Sequence, residues 1–252
     1  MRDSSKLIAI VLPFLAATTL SGQDASTRRF PGSVEFGARL TDVSGDEARY
    51  QRFRDMSNGA YPDRLRFQKA ASGWAFDFRA DQVARDDQRL YGSYRRKNLK
   101  LLAEWDQVPF FISRDTQTLY QVDSPGVLRI NDAIQRGIES GQFTLAGVAD
   151  QAAFFDTRSR RDTGRLELLF RPARDLDVTL KLKTAKREGS LQWGASFGFN
   201  NDVEVAAPQD TRTTDLAAGI EWANERAMLR LGYDGSWFDN RVPTLVWTTR
   251  SG

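Results

Sequence analysis

Neither cysteine nor histidine occurs anywhere in this sequence of 252 residues. Their absence excludes disulfide bonds, Cys/His zinc sites, haem attachment motifs, iron–sulfur ligation and any catalytic triad built on histidine. A large excess of one charge is also missing, since 36 basic and 33 acidic side chains give a net charge of +3. Nucleic-acid binding proteins typically show a basic face instead. The sequence therefore predicts no enzyme, no catalytic, cofactor-binding or metal-binding residues and no nucleic-acid partner.

Long hydrophobic runs are scarce as well, and the one clear example lies at the N-terminus. This apolar run over residues 7–20 follows a short basic start and ends at small residues. That arrangement is typical of a secretory signal peptide, whereas a transmembrane helix needs about 20 apolar residues. We therefore predict a signal peptide over residues 1–22, and a single exported domain over residues 23–252.

What the sequence has instead is apolar/polar alternation with a period of two, which indicates β-strands. In residues 190–200, for example, Leu191, Trp193 and Phe197 alternate with small or polar residues such as Ser196. Several of these segments have the 9–11 residues with which a tilted strand crosses a bilayer. About ten strands are predicted, at residues 33–41, 63–69, 73–84, 88–96, 98–106, 164–170, 175–185, 190–200, 214–222 and 227–237.

Polar segments between the strands predict the connections. Hairpin turns are predicted at residues 171–174, 186–189 and 223–226. Residues 201–213 are interpreted as a long polar loop, and the charged run at 158–162 as a loop surface, with contact to lipopolysaccharide or a cytochrome as the alternative. Residues 107–162 break the alternation and contain a helical pattern near 130–139, interpreted as a loop or as a segment folded into the lumen.

Alternating strands fit two fold classes. In a soluble β-sandwich the apolar faces meet in a core, whereas in a membrane barrel they meet lipid and the polar faces line a lumen. The export signal favours the barrel, and so do aromatic residues at strand ends, because such residues form girdles at membrane interfaces. The predicted fold class is therefore all-β, an antiparallel up-and-down transmembrane β-barrel.

The alternation also assigns side chains to the two sides of this barrel, and the outer-membrane lipid is one expected partner. The side chains predicted to face lipid are Leu180, Trp193, Phe197, Ile220 and Leu231. The side chains predicted to face the lumen are Lys181, Lys183, Ser196, Glu221 and Arg230.

Three segments carry motifs that, in their order, are more specific than any one of them alone. They are GSVEFGAR and DEARYQRFRD within residues 32–55, EWDQVP at residues 104–109, and ASFGFNN, TTDL, EWAN and LGYDGSWFDN within residues 195–240. Together they resemble the MtrB/PioB family of outer-membrane barrels, which are associated with decahaem cytochromes.

The resemblance implies a barrel that surrounds a periplasmic decahaem c-type cytochrome and holds it across the outer membrane, with an extracellular multihaem cytochrome as a further partner. Haem would then belong to the cytochrome, and the chain itself would carry no cofactor. Barrels of this family have many more than ten strands. The resemblance therefore leads us to expect the N-terminal part of a larger barrel, with an open sheet whose first and last strands do not pair. A general or substrate-specific outer-membrane porin is the alternative, and a soluble secreted β-protein is a third.

Overall fold

The computed structural model describes residues 32–198 and 201–249, so the predicted signal peptide lies outside the described residues. The strands are β1 (Gly32–Arg39), β2 (Gly59–Ala71), β3 (Trp74–Asp81), β4 (Arg89–Arg96), β5 (Leu99–Thr118), β6 (Tyr120–Ser124), β7 (Val127–Ile130), β8 (Ala153–Ala173), β9 (Leu176–Gly198), β10 (Asn201–Ala223), β11 (Met228–Asn240) and β12 (Val246–Trp247). The helices are α1 (Glu47–Gln51), α2 (Asp132–Glu139) and a 3-10 helix, Ala146–Gln151. Within the described ranges, no helix has the length and apolar character needed to cross a membrane.

One antiparallel sheet of nine strands dominates the fold. Its order is β1-β2-β3-β4-β5-β8-β9-β10-β11, so each strand pairs with its neighbour along the chain except where β6 and β7 intervene. In the described residues β1 pairs only with β2, and β11 pairs only with β10. The sheet is therefore open, which confirms the predicted all-β antiparallel architecture and the predicted separation of its first and last strands.

The connections differ strongly between the two ends of the sheet. At one end the strands are joined by turns of two to four residues, at 72–73, 97–98, 174–175 and 224–227. At the opposite end three connections are longer, at residues 40–58, 82–88 and 119–152, whereas only two residues separate β9 from β10. Transmembrane barrels show this asymmetry, with short periplasmic turns and longer extracellular loops.

Strands β9 and β10 are much longer than the sequence predicted, at 23 residues each. The turn predicted at 186–189 and the loop predicted at 201–213 are therefore wrong, because both segments lie inside strands that pair in continuous register from Asp202–Ser196 to Trp222–Leu176. The loop predicted over 107–162 is likewise wrong at both ends, because residues 107–118 belong to β5, and residues 153–162, including the charged run at 158–162, belong to β8. The hairpin turns predicted at 171–174 and 223–226 are confirmed with shifted bounds, at 174–175 and 224–227.

A small folded unit, here called the apical unit, comprises residues 119–152 and 245–248. Its three-stranded sheet has the order β12-β7-β6, and α2 begins where Asn131 Oδ1 accepts a hydrogen bond from the Ala133 N–H at 2.8 Å. The helical pattern is thus confirmed, but it belongs to a packed unit and not to a simple loop. The hydrophobic core that joins this unit to β9 and β10 contains Tyr120, Leu128, Ile130, Ile138, Val148, Ala195, Phe197 and Val205.

Gly189 lets β9 approach β8 closely at Arg158 and Ser159. A Cβ atom at this position would lie 2.1 Å from the Arg158 carbonyl oxygen, whereas one at Gly194 on the same strand would meet nothing within 4 Å. We expect Gly189→Ala to lower the free energy of unfolding by about 1–3 kcal/mol, because backbone must move, and Gly194→Ala to have little effect. Denaturant titration of the lipid-reconstituted protein measures both, and equal stability of the two variants would contradict the close approach.

Candidate functional site

The outer face of the nine-stranded sheet is largely apolar across its middle, from β3 to β11. One row of paired residues shows the pattern and runs through Phe76, Tyr94, Leu101, Leu168, Leu180, Ala218 and Tyr233, from β3 to β11. No second sheet packs on these side chains in the described residues, and Leu231 remains 62 % exposed. A continuous exposed apolar surface of this kind marks an interaction or membrane surface, and it argues against a β-sandwich, whose apolar faces are covered.

Tryptophans lie at both margins of this apolar surface. Trp105 and Trp237 belong to one row of paired residues. Trp74 belongs to a second row, which crosses β5 at Leu99. On β5 the two rows are six residues apart, at Leu99 and Trp105. Six residues of strand span about 20 Å, close to the apolar band of about 25 Å on transmembrane barrels, which aromatic girdles also flank. We call the outer-face surface between these two rows the apolar band.

The opposite, inner face is polar and is held by cross-strand ion pairs. Arg64 lies 3.1 Å from Glu35 and 3.4 Å from Asp81, and Arg66 Nη2 lies 2.9 Å from Asp81 Oδ1. Further cross-strand pairs join Arg89 to Asp106 and Arg165 to Glu104, and Arg79 pairs with Asp77 within β3. Opposite charges on neighbouring strands stabilise a sheet, so these pairs tie most of the strands together on this side.

Clefts also lie along the inner face. Those in the middle of the sheet are lined mainly by inner-face side chains, among them Asp77, Arg95, Lys181 and Asp215. A sheet with one apolar face and one polar face has the arrangement of a wall between lipid and an aqueous lumen.

Most of the predicted facing residues fall on the two faces as expected. Leu180 lies on the outer face within the apolar band, and Ile220 and Leu231 lie on the same face in the row of Leu99, at the margin of the band. The residues predicted to face the lumen that lie together on the inner face are Lys181, Lys183, Glu221 and Arg230. Contact of either group with lipid or lumen stays a prediction.

Three facing predictions are wrong, and they have one cause. Because β9 continues without a turn, Trp193 and Phe197 point to the same side as Lys181, and Ser196 points to the side of Leu180. Phe197 is also fully buried in the core beneath the apical unit, so it cannot contact lipid. The apical unit thus packs on the inner side of β9 and β10, beyond the apolar band.

Asp55 and Arg85 join two of the long connections, residues 40–58 between β1 and β2 and residues 82–88 between β3 and β4. The Asp55 carboxylate accepts hydrogen bonds from the backbone N–H groups of Ser57 at 2.9 Å and Asp86 at 3.1 Å. The Arg85 guanidinium lies 3.8 Å from the centre of the Tyr61 ring and donates to the carbonyl oxygens of Asp55 and Ser57. These contacts order the long-connection end of the sheet.

Burial raises the pKa of Asp55, but the hydrogen bonds from Ser57 and Asp86 and the charge of Arg85 outweigh it and hold the pKa below its ordinary value. The ionised Asp55 carboxylate therefore stabilises the folded protein fully above the ordinary carboxyl pKa. This contribution is lost as the pH falls through the lowered pKa of Asp55.

The EWDQVP motif places its side chains at this same end of the sheet. Trp105 lies at the margin of the apolar band, and the buried Gln107 donates to Asp162 Oδ1 at 3.1 Å and accepts from Gln88. The motif therefore marks the level at which β5 passes from the apolar band to a polar, hydrogen-bonded network. In the described part of the chain, no three acidic side chains are grouped so that they could hold a metal ion.

Comparison with known proteins agrees with this geometry. A family model described as an outer membrane beta-barrel porin, MtrB/PioB, matches residues 44–251, well over half of the chain. No curated protein matches the chain. The match confirms the resemblance carried by the sequence motifs, and the chain belongs to the MtrB/PioB family of outer-membrane β-barrel porins.

Proposed function

We propose that this chain forms part of the wall of an outer-membrane barrel. The barrel surrounds a periplasmic decahaem c-type cytochrome and positions it for electron transfer across the membrane. An extracellular multihaem cytochrome is a second partner in this proposal, receiving or supplying electrons at the outer surface. The chain itself performs no catalysis and binds no haem, because haem chemistry and electron transfer belong to the cytochrome.

The observation that carries the proposal is that nine strands do not close the sheet. Barrels of eight strands enclose just enough space for their own side chains or one small ligand. In the described residues the nine-stranded sheet is open, with β1 and β11 each paired on one side only. A barrel that contains this open sheet has more than nine strands, and because barrel diameter grows with strand number, its lumen has room for a larger guest such as a folded protein.

Two further features support this proposal. The inner face carries charged side chains from β2 to β11, which suits a hydrated protein guest better than an apolar ligand. The whole sequence lacks both histidine and cysteine, which suits a protein whose haems are carried by a partner. The short turns are assigned to the periplasm and the long connections to the cell exterior.

Proteoliposomes that contain methyl viologen test the proposal. The full-length protein is reconstituted with and without the decahaem cytochrome, and dithionite is added outside. We expect internal dye to be reduced only when both proteins are present. Reduction with the cytochrome alone would overturn the sheath role.

The same vesicles test the porin alternative, which the family description favours. An open porin lets small solutes pass whether or not a cytochrome is present, so liposome swelling in sucrose should then be fast with the barrel protein alone. Under the sheath proposal, swelling by the assembled complex is slow because the guest fills the lumen. Equally fast swelling with and without the cytochrome would favour the porin.

A further inference from the structure

Two pairs of like charges lie directly opposite each other on the inner face of β8 and β9. Arg161 pairs in register with Arg187, and Arg165 pairs with Lys183. Directly opposed like charges destabilise a sheet, because their Cβ atoms lie about 5 Å apart. An arrangement that costs stability in the free protein indicates that another group neutralises it.

The chain itself supplies little neutralisation. Within the described residues, Arg165 reaches Glu104 at 3.4 Å, but no carboxylate forms an ion pair with Arg161, Lys183 or Arg187. In its row of the sheet, the Arg161–Arg187 pair is flanked by Val108 and Thr211, neither of which is acidic.

Two further carboxylates lie beside these cations without forming an ion pair with them. Asp215 lies opposite Lys183 in register, and its Oδ1 accepts a hydrogen bond from Ser236 Oγ at 2.7 Å. Asp106 pairs with Arg89 at 3.3 Å. The Arg161–Arg187 pair, whose row contains no carboxylate, is therefore the less neutralised of the two. All four cations line one cleft of about 530 Å³ on the inner face, together with these two carboxylates.

Resting on the proposed function, we propose that Arg161, Arg165, Lys183 and Arg187 form a docking site for carboxylates on the surface of the protein guest in the lumen. We call this group the cationic patch. It lies on the inner side, so lipid headgroups outside the wall do not reach it.

The spacing of the cationic patch selects a protein surface over a small anion. Arg161 and Arg165 are four residues apart on β8, which corresponds to about 13 Å along the strand. A single phosphate contacts one end of such a patch and leaves the other charged pair unneutralised. Several carboxylates fixed on an acidic protein surface reach both pairs at once.

The position of the patch also fits a guest that enters the lumen. Arg161 and Arg187 lie three rows beyond the row of Trp105, at the end of the sheet with the long connections. The patch thus holds a guest near the outer mouth of the lumen, where electrons leave or enter the barrel under the proposed function.

The test compares two double variants of the full-length protein that lose equal charge. Arg161→Gln with Arg187→Gln removes the unpaired cations, and Arg64→Gln with Arg79→Gln removes two inner-face arginines that are paired with Glu35 and Asp77. Binding of the decahaem cytochrome to each reconstituted barrel is titrated at several salt concentrations. We expect the first variant to weaken binding about tenfold at low salt and to flatten its salt dependence, and the control to change affinity less than about twofold.

Protein stability separates a binding role from a structural one. Because the first variant removes like-charge repulsion, it should resist denaturant at least as well as the wild-type protein while binding the guest more weakly. Unchanged binding, or equal weakening in both double variants, would contradict a docking role for the cationic patch. Displacement of the cytochrome by inorganic phosphate at constant ionic strength would identify a small-anion site and contradict the proposal that the ligand is a protein surface. A wild-type barrel that forms no complex would refute the proposed function together with the patch.

Discussion

Leu101→Arg is expected to lower the free energy of unfolding in a bilayer by about 2–4 kcal/mol, and Leu102→Arg, one residue along the same strand, to cost much less. Leu101 lies on the outer face between Tyr94 and Leu168, near the middle of the apolar band. Leu102 lies on the inner face between Ser93 and Glu167. A buried arginine in hydrocarbon loses its hydration, whereas one beside Glu167 keeps water and gains an opposite charge.

Both substitutions replace leucine by arginine on the same strand. Any difference between their stability losses therefore reports the environment of the face on which each side chain lies. Denaturant-induced unfolding from phosphatidylcholine vesicles, followed by tryptophan fluorescence, measures the difference. Similar losses for both variants would show that the two faces share one environment, which would contradict a wall between lipid and water.

Phe197→Ala is expected to destabilise the apical unit by about 3–5 kcal/mol, because a fully buried aromatic side chain is replaced by a cavity. The Phe197 side chain is 0 % exposed, whereas Trp193 on the same strand and the same side is 58 % exposed. Trp193→Ala is therefore the matched control and should leave the unit intact.

Hydrogen exchange of the backbone amides in α2 and β7 reports the outcome. Protection should fall strongly in Phe197→Ala while the amides of β3 and β4 keep theirs, because the apical unit packs on β9 and β10 and not on those strands. Uniform loss across the whole sheet, or no loss in α2, would contradict a separately packed unit.

Much of the membrane wall could be predicted from the sequence because its chemistry has a strict period of two. Leu180 and Lys181 are neighbours on opposite faces, and the bilayer imposes that contrast on each strand that crosses it. The separation of the first and last strands was also predictable, since about ten strands fall short of the barrels that the motifs resemble.

The errors arose where the strands leave the apolar band. Lys186 and Glu188 form an ion pair on one side of β9, and the polar residues between 201 and 213 continue β10. Such residues mimic turn signals when the sequence is read alone, because charge and glycine also mark hairpins. Here they mark the passage of a continuous strand out of the bilayer, a distinction that depends on pairing with β8 and β10.

One missed turn was enough to reverse the faces beyond it. After a hairpin, the first side chain of the next strand can point to either face of the sheet. The faces assigned to Trp193, Ser196 and Phe197 were therefore not fixed by those of the residues before the predicted turn. The cationic patch was missed for a related reason, because the opposition of Arg161 and Arg187 exists only in the register between β8 and β9.

A cysteine scan of β5 tests the central claim, that one face of this sheet contacts lipid and the other lines an aqueous lumen. The chain contains no cysteine, so each substitution over residues 99–105 carries the sole attachment point for a nitroxide spin label. In lipid-reconstituted protein, labels at 99, 101 and 103 should be relaxed most by oxygen, and labels at 100, 102 and 104 by a water-soluble nickel chelate. Equal accessibility at all positions, or the reverse alternation, would contradict the account.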